Sequence, residues 1–363
     1  MEAKDFIVVK VGSDTVANPN GSIRTEFVEE IFSSIKTAAT RGVAVAVVSS
    51  GAVKYGRHIL RDDRASIGVA ASIGQPALYQ TYADAARRTR MSVAQLLLTR
   101  FELTQQEYFK KILKTMRELV SRGVIPIINE NDAITAGTDI SFGDNDSLAA
   151  SLAIFLNAKK IIILTHLEGL YDKDPSLGPG AHLLTDIDDA NTILLKMISG
   201  KISAGGRGGM LSKIKLARLC TAVGIGVQLV NGRVAGNIGR AFGRQKVGTM
   251  FHPREFSRKL TDRERWMFAA RNSDGSIEID DGAQQALRNG KSLLAVGVKR
   301  IYGKFEADEI IEIINTRKHS IAVGVVKKSS RDIIPVLGTL KARGIELIHV
   351  DNLIAFNNSS IHP

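Results

Sequence analysis

Val124-Ile125-Pro126-Ile127-Ile128 runs directly into Asn129-Glu130-Asn131-Asp132, and after Ala133 to Phe142 a second polar block follows, Gly143-Asp144-Asn145-Asp146. The apolar run has no alternation, which reads as a strand covered on both faces. Leu148 to Phe155 then reads as a buried helix. A crowd of acids and amides at the end of a buried strand is where open α/β sheets keep their ligands. Capping of the next helix accounts for one residue between Asp144 and Ser147. It leaves the other acids and amides unexplained, so the segment is read as a binding site.

The same alternation extends outward. Strands are expected at Phe6-Val9, Val43-Val48, Val93-Leu98, Val124-Ile128, Ile161-Leu164 and Val227-Val230. Helices are expected at Glu26-Thr40, Pro76-Arg90, Gln105-Arg122, Leu148-Asn157 and Leu211-Val223. Apolar strands separated by helices argue for an α/β fold with a mainly parallel sheet covered on both faces. Ala133 to Phe142 is expected as a small hairpin over the site. After Phe256 the pattern changes to short runs with turn signals: Ser276-Ile279, Ser292-Val296, Gly297-Tyr302, Ile310-Ile314 and Ser320-Val326. The chain is therefore divided into residues 1–257, a linker at 258–273, and a small, mostly β domain at 274–363.

Composition bounds the function classes. Of 363 residues, 44% are hydrophobic and 24% charged, as in ordinary globular proteins. No apolar run is long enough to span a bilayer, so no membrane association is expected. Met1 to Asp5 lead straight into a strand, without the pattern of a signal peptide. The single cysteine, Cys220, allows no internal disulfide, which fits a cytoplasmic location. The seven histidines show no metal-ligand spacing. The net charge of +12 suits anionic ligands or nucleic acid. From Arg258 onward there are 17 basic and 13 acidic residues, against 32 and 24 before it. The excess is spread along the chain, which favours an anion-friendly surface over a dedicated RNA-binding tail.

Four segments carry chemistry. Lys10, leaving the first strand before Gly12, can aim an ammonium at a phosphate. Ser49-Ser50-Gly51-Ala52, a hydroxyl-rich turn opening a helix, offers donors to an anion, although ordinary capping explains it as well. The Asn129-Asp146 segment is the third. The fourth is Gly205-Gly206-Arg207-Gly208-Gly209-Met210-Leu211-Ser212-Lys213, whose glycines can form a nest of N–H groups beside two cations. Neither G-x-x-x-x-G-K-[ST] nor a G-x-G-x-x-G strand-turn-helix is present. Two distant lysines, a glycine-rich loop and an acid-amide pocket suggest phosphoryl transfer, which needs positioning and charge neutralisation. A carboxylate acceptor, with a pKa of about 4, needs no general base. Lysines and Mg²⁺ would relieve the repulsion between anions.

With these residues the chain resembles the glutamate 5-kinases of the amino acid kinase family over nearly its whole length. Ile7-Val8-Val9-Lys10-Val11-Gly12, Ser49-Ser50-Gly51-Ala52, Ile128-Asn129-Glu130-Asn131-Asp132-Ala133, Gly143-Asp144-Asn145-Asp146, Gly169-Leu170-Tyr171 and Gly208-Gly209-Met210 with Lys213 fall in family order. Gly290-Lys291-Ser292-Leu293-Leu294 and Gly297-Val298 are similar to a PUA domain, an RNA-associated β module. The resemblance implies a three-layer αβα sandwich with a PUA-like tail. It implies ATP-dependent phosphorylation of the L-glutamate γ-carboxylate, the first step of proline biosynthesis. Lys10 and Lys213 would flank the transferring phosphoryl group, with Asp146 organising them. Ser50, Asn129, Asp132, Asp144 and Asn145 would bind glutamate. Lys10, Gly12, Ser13, Thr165, His166 and Arg207 to Lys213 (Arg207, Gly208, Gly209, Met210, Leu211, Ser212, Lys213) would bind ATP, with Mg²⁺ carried by the nucleotide and no metal held by the protein. A homodimer or homotetramer, transfer of product to glutamyl phosphate reductase, and RNA contact through the tail are further implications.

The chain departs from the family pattern at His166, where an aspartate is usual, and at Ser13-Asp14-Thr15. It departs again at Arg207, in place of a threonine, and at Ile67, in place of a lysine. These changes bear on the nucleotide and loop contacts. Another carboxylate or phosphate kinase of this fold, or an RNA-binding regulator built on a decayed kinase, is the competing reading. The paired polar blocks oppose the first; Lys10, Asp146 and Lys213 together oppose the second.

Overall fold

The alternation of side-chain faces along the first strand, buried on both, sets the layers. In β1 (Asp5–Val11), Ile7, Val9 and Val11 join one buried core with Phe27, Ile31, Leu78 and Tyr82. The pleat sends Val8 and Lys10 to the opposite face. The structure is a computed structural model that describes residues 5–138, 141–142, 144–173, 175, 180–198, 207–243, 245–253, 260–272 and 275–355, with 195, 197, 198, 207 and 208 described by backbone alone.

After β1 come α1 (Ser13–Val16), α2 (Thr25–Ala39), β2 (Val43–Ser49), α3 (Ala52–Leu60), α4 (Ile67–Arg88) and β3 (Ser92–Leu98). Next are α5 (Arg100–Thr104), α6 (Gln106–Ser121), β4 (Val124–Glu130), α7 (Asp132–Thr135), α8 (Asn145–Phe155) and β5 (Lys160–Thr165). Three short strands follow, β6 (Leu170–Tyr171), β7 (Leu183–Leu184) and β8 (Asp186–Ile187), then α9 (Ala190–Ile198). The unit closes with α10 (Arg207–Ala222), β9 (Gly226–Asn231), α11 (Asn237–Phe242) and β10 (Thr249–Phe251).

The large sheet runs β3-β4-β2-β1-β5-β9-β10-β8. Its first six strands are parallel; β10 is antiparallel to β9. Helices α2, α4 and α11 contribute to the core on one face. On the other, α8 lies against β1, β2 and β5, with α10 beside it. Phe109 of α6 meets Phe155 of α8 with ring centroids 4.1 Å apart. This is the three-layer, mainly parallel architecture expected. The chain winds from β1 to β2 and later returns to β5 on the other side of β1. The carboxyl ends of β2, β1 and β5 therefore flank a topological switch point, the usual place for a ligand.

The six expected strands are all present. The helix expected from Pro76 begins earlier, at Ile67, with Ser66 accepting from the Val69 N–H at 3.4 Å. Pro76 disfavours a helix interior, but packing overrides it. A Cβ on Gly74 would fall 1.9 Å from the Ala52 carbonyl, and one on Gly56 1.8 Å from the Ala70 carbonyl. α3 and α4 thus touch backbone to backbone around Pro76. The helix expected at Gln105-Arg122 is preceded by a separate turn, α5, set off by the Thr99–Glu102 capping box. Where a hairpin was expected over the site, Asp132–Thr135 forms a single helical turn against α4. Asp139, Ile140 and Gly143 of that stretch, and Gly205 and Gly206 of the glycine run, lie outside the described residues.

Residues 256–363 form a second unit. The stretch read as a linker contains α12 (Asp262–Ala270), started by a Thr261–Glu264 capping box and burying Met267 and Phe268. The five-stranded sheet of this unit has Ser276–Ile279 between Val298–Tyr302 and Ile310–Ile314, followed by Ser320–Val325 and Leu353–Ala355. Its core centres on Ile277, Ile279, Ile311, Ile313 and Leu347.

Candidate active site

The polar residues singled out in sequence converge on the carboxyl ends of β1, β2, β4 and β5. Lys10 pairs in register with Val48 of β2 and Ile163 of β5, so it stands in the middle of the sheet. Its side chain points to the α8 face, where Asp146 occupies the first turn of that helix. Lys10 Nζ lies 2.5 Å from Asp146 Oδ1, and Lys213 Nζ lies 3.3 Å from Asp146 Oδ2. Ser212 Oγ donates to Asp146 Oδ2 at 2.7 Å. Lys213 also donates to the Gly209 carbonyl at 2.9 Å, which ties its ammonium to the start of α10. One carboxylate thus holds two lysines from opposite halves of the unit. Burial raises the Asp146 carboxyl, but the Lys10 and Lys213 ammoniums and the Lys10 and Ser212 hydrogen bonds outweigh it and hold the group below the usual carboxylate range.

Beside this ion cluster is a chain of amides. Asn145 Nδ2 donates to the Ser49 carbonyl at 3.0 Å, Ser50 Oγ at 2.9 Å and Asn129 Oδ1 at 2.9 Å. Asn129 is buried and donates through Nδ2 to Gln75 Oε1 at 2.6 Å. Asn145 Oδ1 is buried and has no hydrogen-bond partner among the described residues. The turn that presents Ser50 needs glycine after it. Gly51 has φ of +108°, in the left-handed region that other residues disfavour. From below, Ser49 Oγ is 2.9 Å from the Tyr82 hydroxyl.

Glu130 and Asp132 form an acidic pair at the end of β4. Glu130 Oε1 accepts the Phe142 N–H at 2.9 Å, closing the segment between the two polar blocks. Asp132 is half-buried; burial and then the Glu130 charge push its carboxyl up to about 6. Asp144 accepts the Ser147 N–H at 2.7 Å and is the N-cap of α8.

The residues expected around a nucleotide are spread over the ends of β1 and β5 and the start of α10. Thr165 is buried at the end of β5, and the next residue, His166, is exposed. Gly12 and Ser13 form the turn from β1 into α1. A Cβ on Gly12 would meet only ordinary contacts, Leu164 O at 3.5 Å and Thr15 Oγ1 at 3.6 Å. Internal packing does not demand glycine there, whereas a ligand approaching the backbone would. Gly209 is exposed, Met210 buried, and Leu211 to Lys213 half-buried on the first turns of α10. Arg207 and Gly208 begin that helix. The glycine-run segment was expected as a loop leading into a helix; its described part is already helical.

Sequence reasoning missed Gln75, Tyr82 and the Ser49 carbonyl as parts of this site. The signal for Gln75 was faint: an amide after Gly74 on a helix of otherwise apolar and small neighbours. Nothing local distinguishes Tyr82 from a core aromatic.

Residues 5–231 match the model of the amino acid kinase family, and residues 275–345 match the PUA domain. Similar proteins include a glutamate 5-kinase of Prochlorococcus marinus, 32% identical over 351 residues, covering 94% of this chain and 97% of the relative. A glutamate 5-kinase of Desulfitobacterium hafniense is 34% identical over 362 residues, covering 96% and 97%. One from Dictyoglomus turgidum is 33% identical over 372 residues, covering 98% of each.

Proposed function

The chain belongs to the amino acid kinase family, and on that premise we propose that it transfers the terminal phosphoryl group of ATP to the γ-carboxylate of L-glutamate. Full-length likeness to glutamate 5-kinases supports the choice of acceptor. The observation that carries the chemistry is the single buried carboxylate of Asp146 holding Lys10 on one oxygen and Lys213 on the other. Both ammoniums are thereby placed before substrate arrives, as transition-state stabilisation by fixed charge requires.

In this reading the acceptor carboxylate is ionised at neutral pH and attacks phosphorus without a general base. Lys10 and Lys213 neutralise charge on the transferring group, and Asp146 keeps them in place. Asn145, Ser50, Asn129 and Asp132 hold the amino acid, with Asp132 opposite its ammonium. Asp144 acts through the helix it caps. Gly12, Ser13, Thr165, His166 and the start of α10 line the nucleotide side. Mg²⁺ comes with the ATP phosphates. The Asp146 oxygens face two ammoniums and a hydroxyl, which is not a cation's donor set, and the described residues hold no cluster of metal-ligating side chains.

The product would be L-glutamyl 5-phosphate, an acyl phosphate that enters proline biosynthesis by reduction at a partner reductase. The PUA-like unit offers RNA a weak surface, and the protein works as a homodimer or homotetramer in the cytoplasm. Among the described residues no helix is long and apolar enough to cross a membrane. A coupled ADP-release assay with glutamate, aspartate, N-acetylglutamate or no acceptor tests the proposal. Turnover should require glutamate; preference for either other acceptor would overturn it.

A further inference from the structure

Gln75 is given no role in the sequence reading, yet it ends the amide chain that runs into the site. Two backbone groups show which way those amides face. The Glu130 N–H, which can only donate, lies 2.9 Å from Asn129 Oδ1. The Ser49 carbonyl, which can only accept, lies 3.0 Å from Asn145 Nδ2. Asn129 therefore turns its nitrogen outward, where Gln75 Oε1 accepts it at 2.6 Å. Asn145 turns its nitrogen inward, which leaves its Oδ1 buried and unpartnered among the described residues. A buried acceptor without a donor is costly, and such atoms in native structures call for an explanation. A substrate ammonium would supply the missing donor.

We infer that Gln75 is a positioning residue for the amino acid. By accepting from Asn129, it holds the chain Gln75–Asn129–Asn145 in the polarity that offers an oxygen to the α-ammonium. The inference rests on glutamate being the acceptor. Gln75 is well placed for the task, because the next residue back, Gly74, locks α4 against α3. Asn129 is only 1% exposed, so without Gln75 water has little access to its Nδ2. Asn129 then rotates in search of an acceptor and takes Asn145 with it.

The test is Gln75→Met, which keeps the shape and removes the acceptor. The glutamate KM should rise roughly tenfold, the scale of one buried donor left unpaired. The ATP KM and kcat should stay within about twofold, as for lost ground-state binding. Inhibition by glutarate, which lacks the ammonium, should stay near wild type, a split that a merely structural role would not produce. Should Q75M fail to fold, Gln75→Asn, one methylene short of Asn129, carries the same expectation. An unchanged glutamate KM, or glutamate and glutarate weakening together, overturns the inference. A wild-type enzyme with no glutamate-dependent turnover overturns the functional reading instead.

Discussion

Replacing Asp146 by asparagine removes the buried negative charge that pairs with the buried Lys10 and the half-buried Lys213. The side chains of Lys10 and Lys213 are 8% and 14% exposed, so water cannot replace the lost carboxylate. Breaking a buried pair by removing one partner costs about 3–5 kcal/mol. For a unit of this size each kcal/mol moves the melting temperature by about 2–4 °C, so D146N should melt roughly 6–20 °C lower. Its kcat should fall about 10²-fold or more, because the lysines are no longer fixed before reaction. Inorganic tripolyphosphate supplies anions to the same ammoniums, so it should raise the melting temperature of D146N more than that of wild type. The pH dependence follows from the sign of the shift. The folded Asp146 carboxyl lies below its unfolded value, so its contribution is complete above the ordinary carboxylate range, about pH 4, and is lost as pH falls through the folded value. The gap between wild type and D146N should close only below about pH 4. A D146N protein that melts within about 2 °C of wild type, a shift worth no more than ~1 kcal/mol, would refute the claim that this carboxylate balances the lysines.

Lys213→Ala should lower kcat by roughly 10²-fold while leaving the glutamate KM nearly unchanged, because its ammonium acts on the transferring group; a near-normal kcat in steady-state assays would remove it from the mechanism. Asp132→Asn should raise the glutamate KM far more than the ATP KM, and equal rises would reassign the segment. With its carboxyl pushed up to about 6, Asp132 loses charge below that pH, so the wild-type glutamate KM should climb there and the climb should vanish in D132N. Residues 1–257 alone should keep glutamate-dependent turnover, since every group in the site precedes that cut; a folded but inactive truncation would show that the C-terminal unit completes the site. The isolated C-terminal unit should bind RNA weakly and lose it with added salt, which a filter-binding titration at two ionic strengths would show.

How much of this was legible depended on the range of each interaction. The strands were readable because burial on both faces makes them continuously apolar, as in Ile161 to Leu164. Lys10 was readable as a lysine leaving a strand before a glycine, Lys213 as a cation in a glycine run, and Asp146 as a member of the second polar block, whereas the role joining the three came from the family resemblance. The start of α4 was not. Pro76 is a local signal for a helix beginning, and only the contact of Gly74 and Gly56 with a neighbouring backbone carries the helix past it. The turn at Asp132 was also missed. A stretch of alternating polarity suggested a hairpin, but α7 is held by α4, far away in sequence. Gln75 was invisible for the same reason, since its partner, Asn129, lies on another strand–helix unit.

The two halves of the site pose one electrostatic problem with opposite signs. On the side proposed for phosphoryl transfer, two ammoniums converge on one carboxylate, an excess of positive charge that would suit a nucleotide. On the amino acid side, Glu130 and Asp132 converge with no cation hydrogen-bonded to either among the described residues, and burial, then the Glu130 charge, pushes Asp132 up to about 6. That half favours a ligand bearing positive charge. Glutamate has its ammonium at one end and its reacting carboxylate at the other, so it can satisfy both halves at once. An acceptor with a blocked amine would leave the acidic pair uncompensated. A simple phosphate acceptor would offer it nothing. In the proposed reading, a preference for a free amino acid over its acetylated form would rest on the Glu130–Asp132 pair and the open Asn145 oxygen, independently of the chemistry at Asp146.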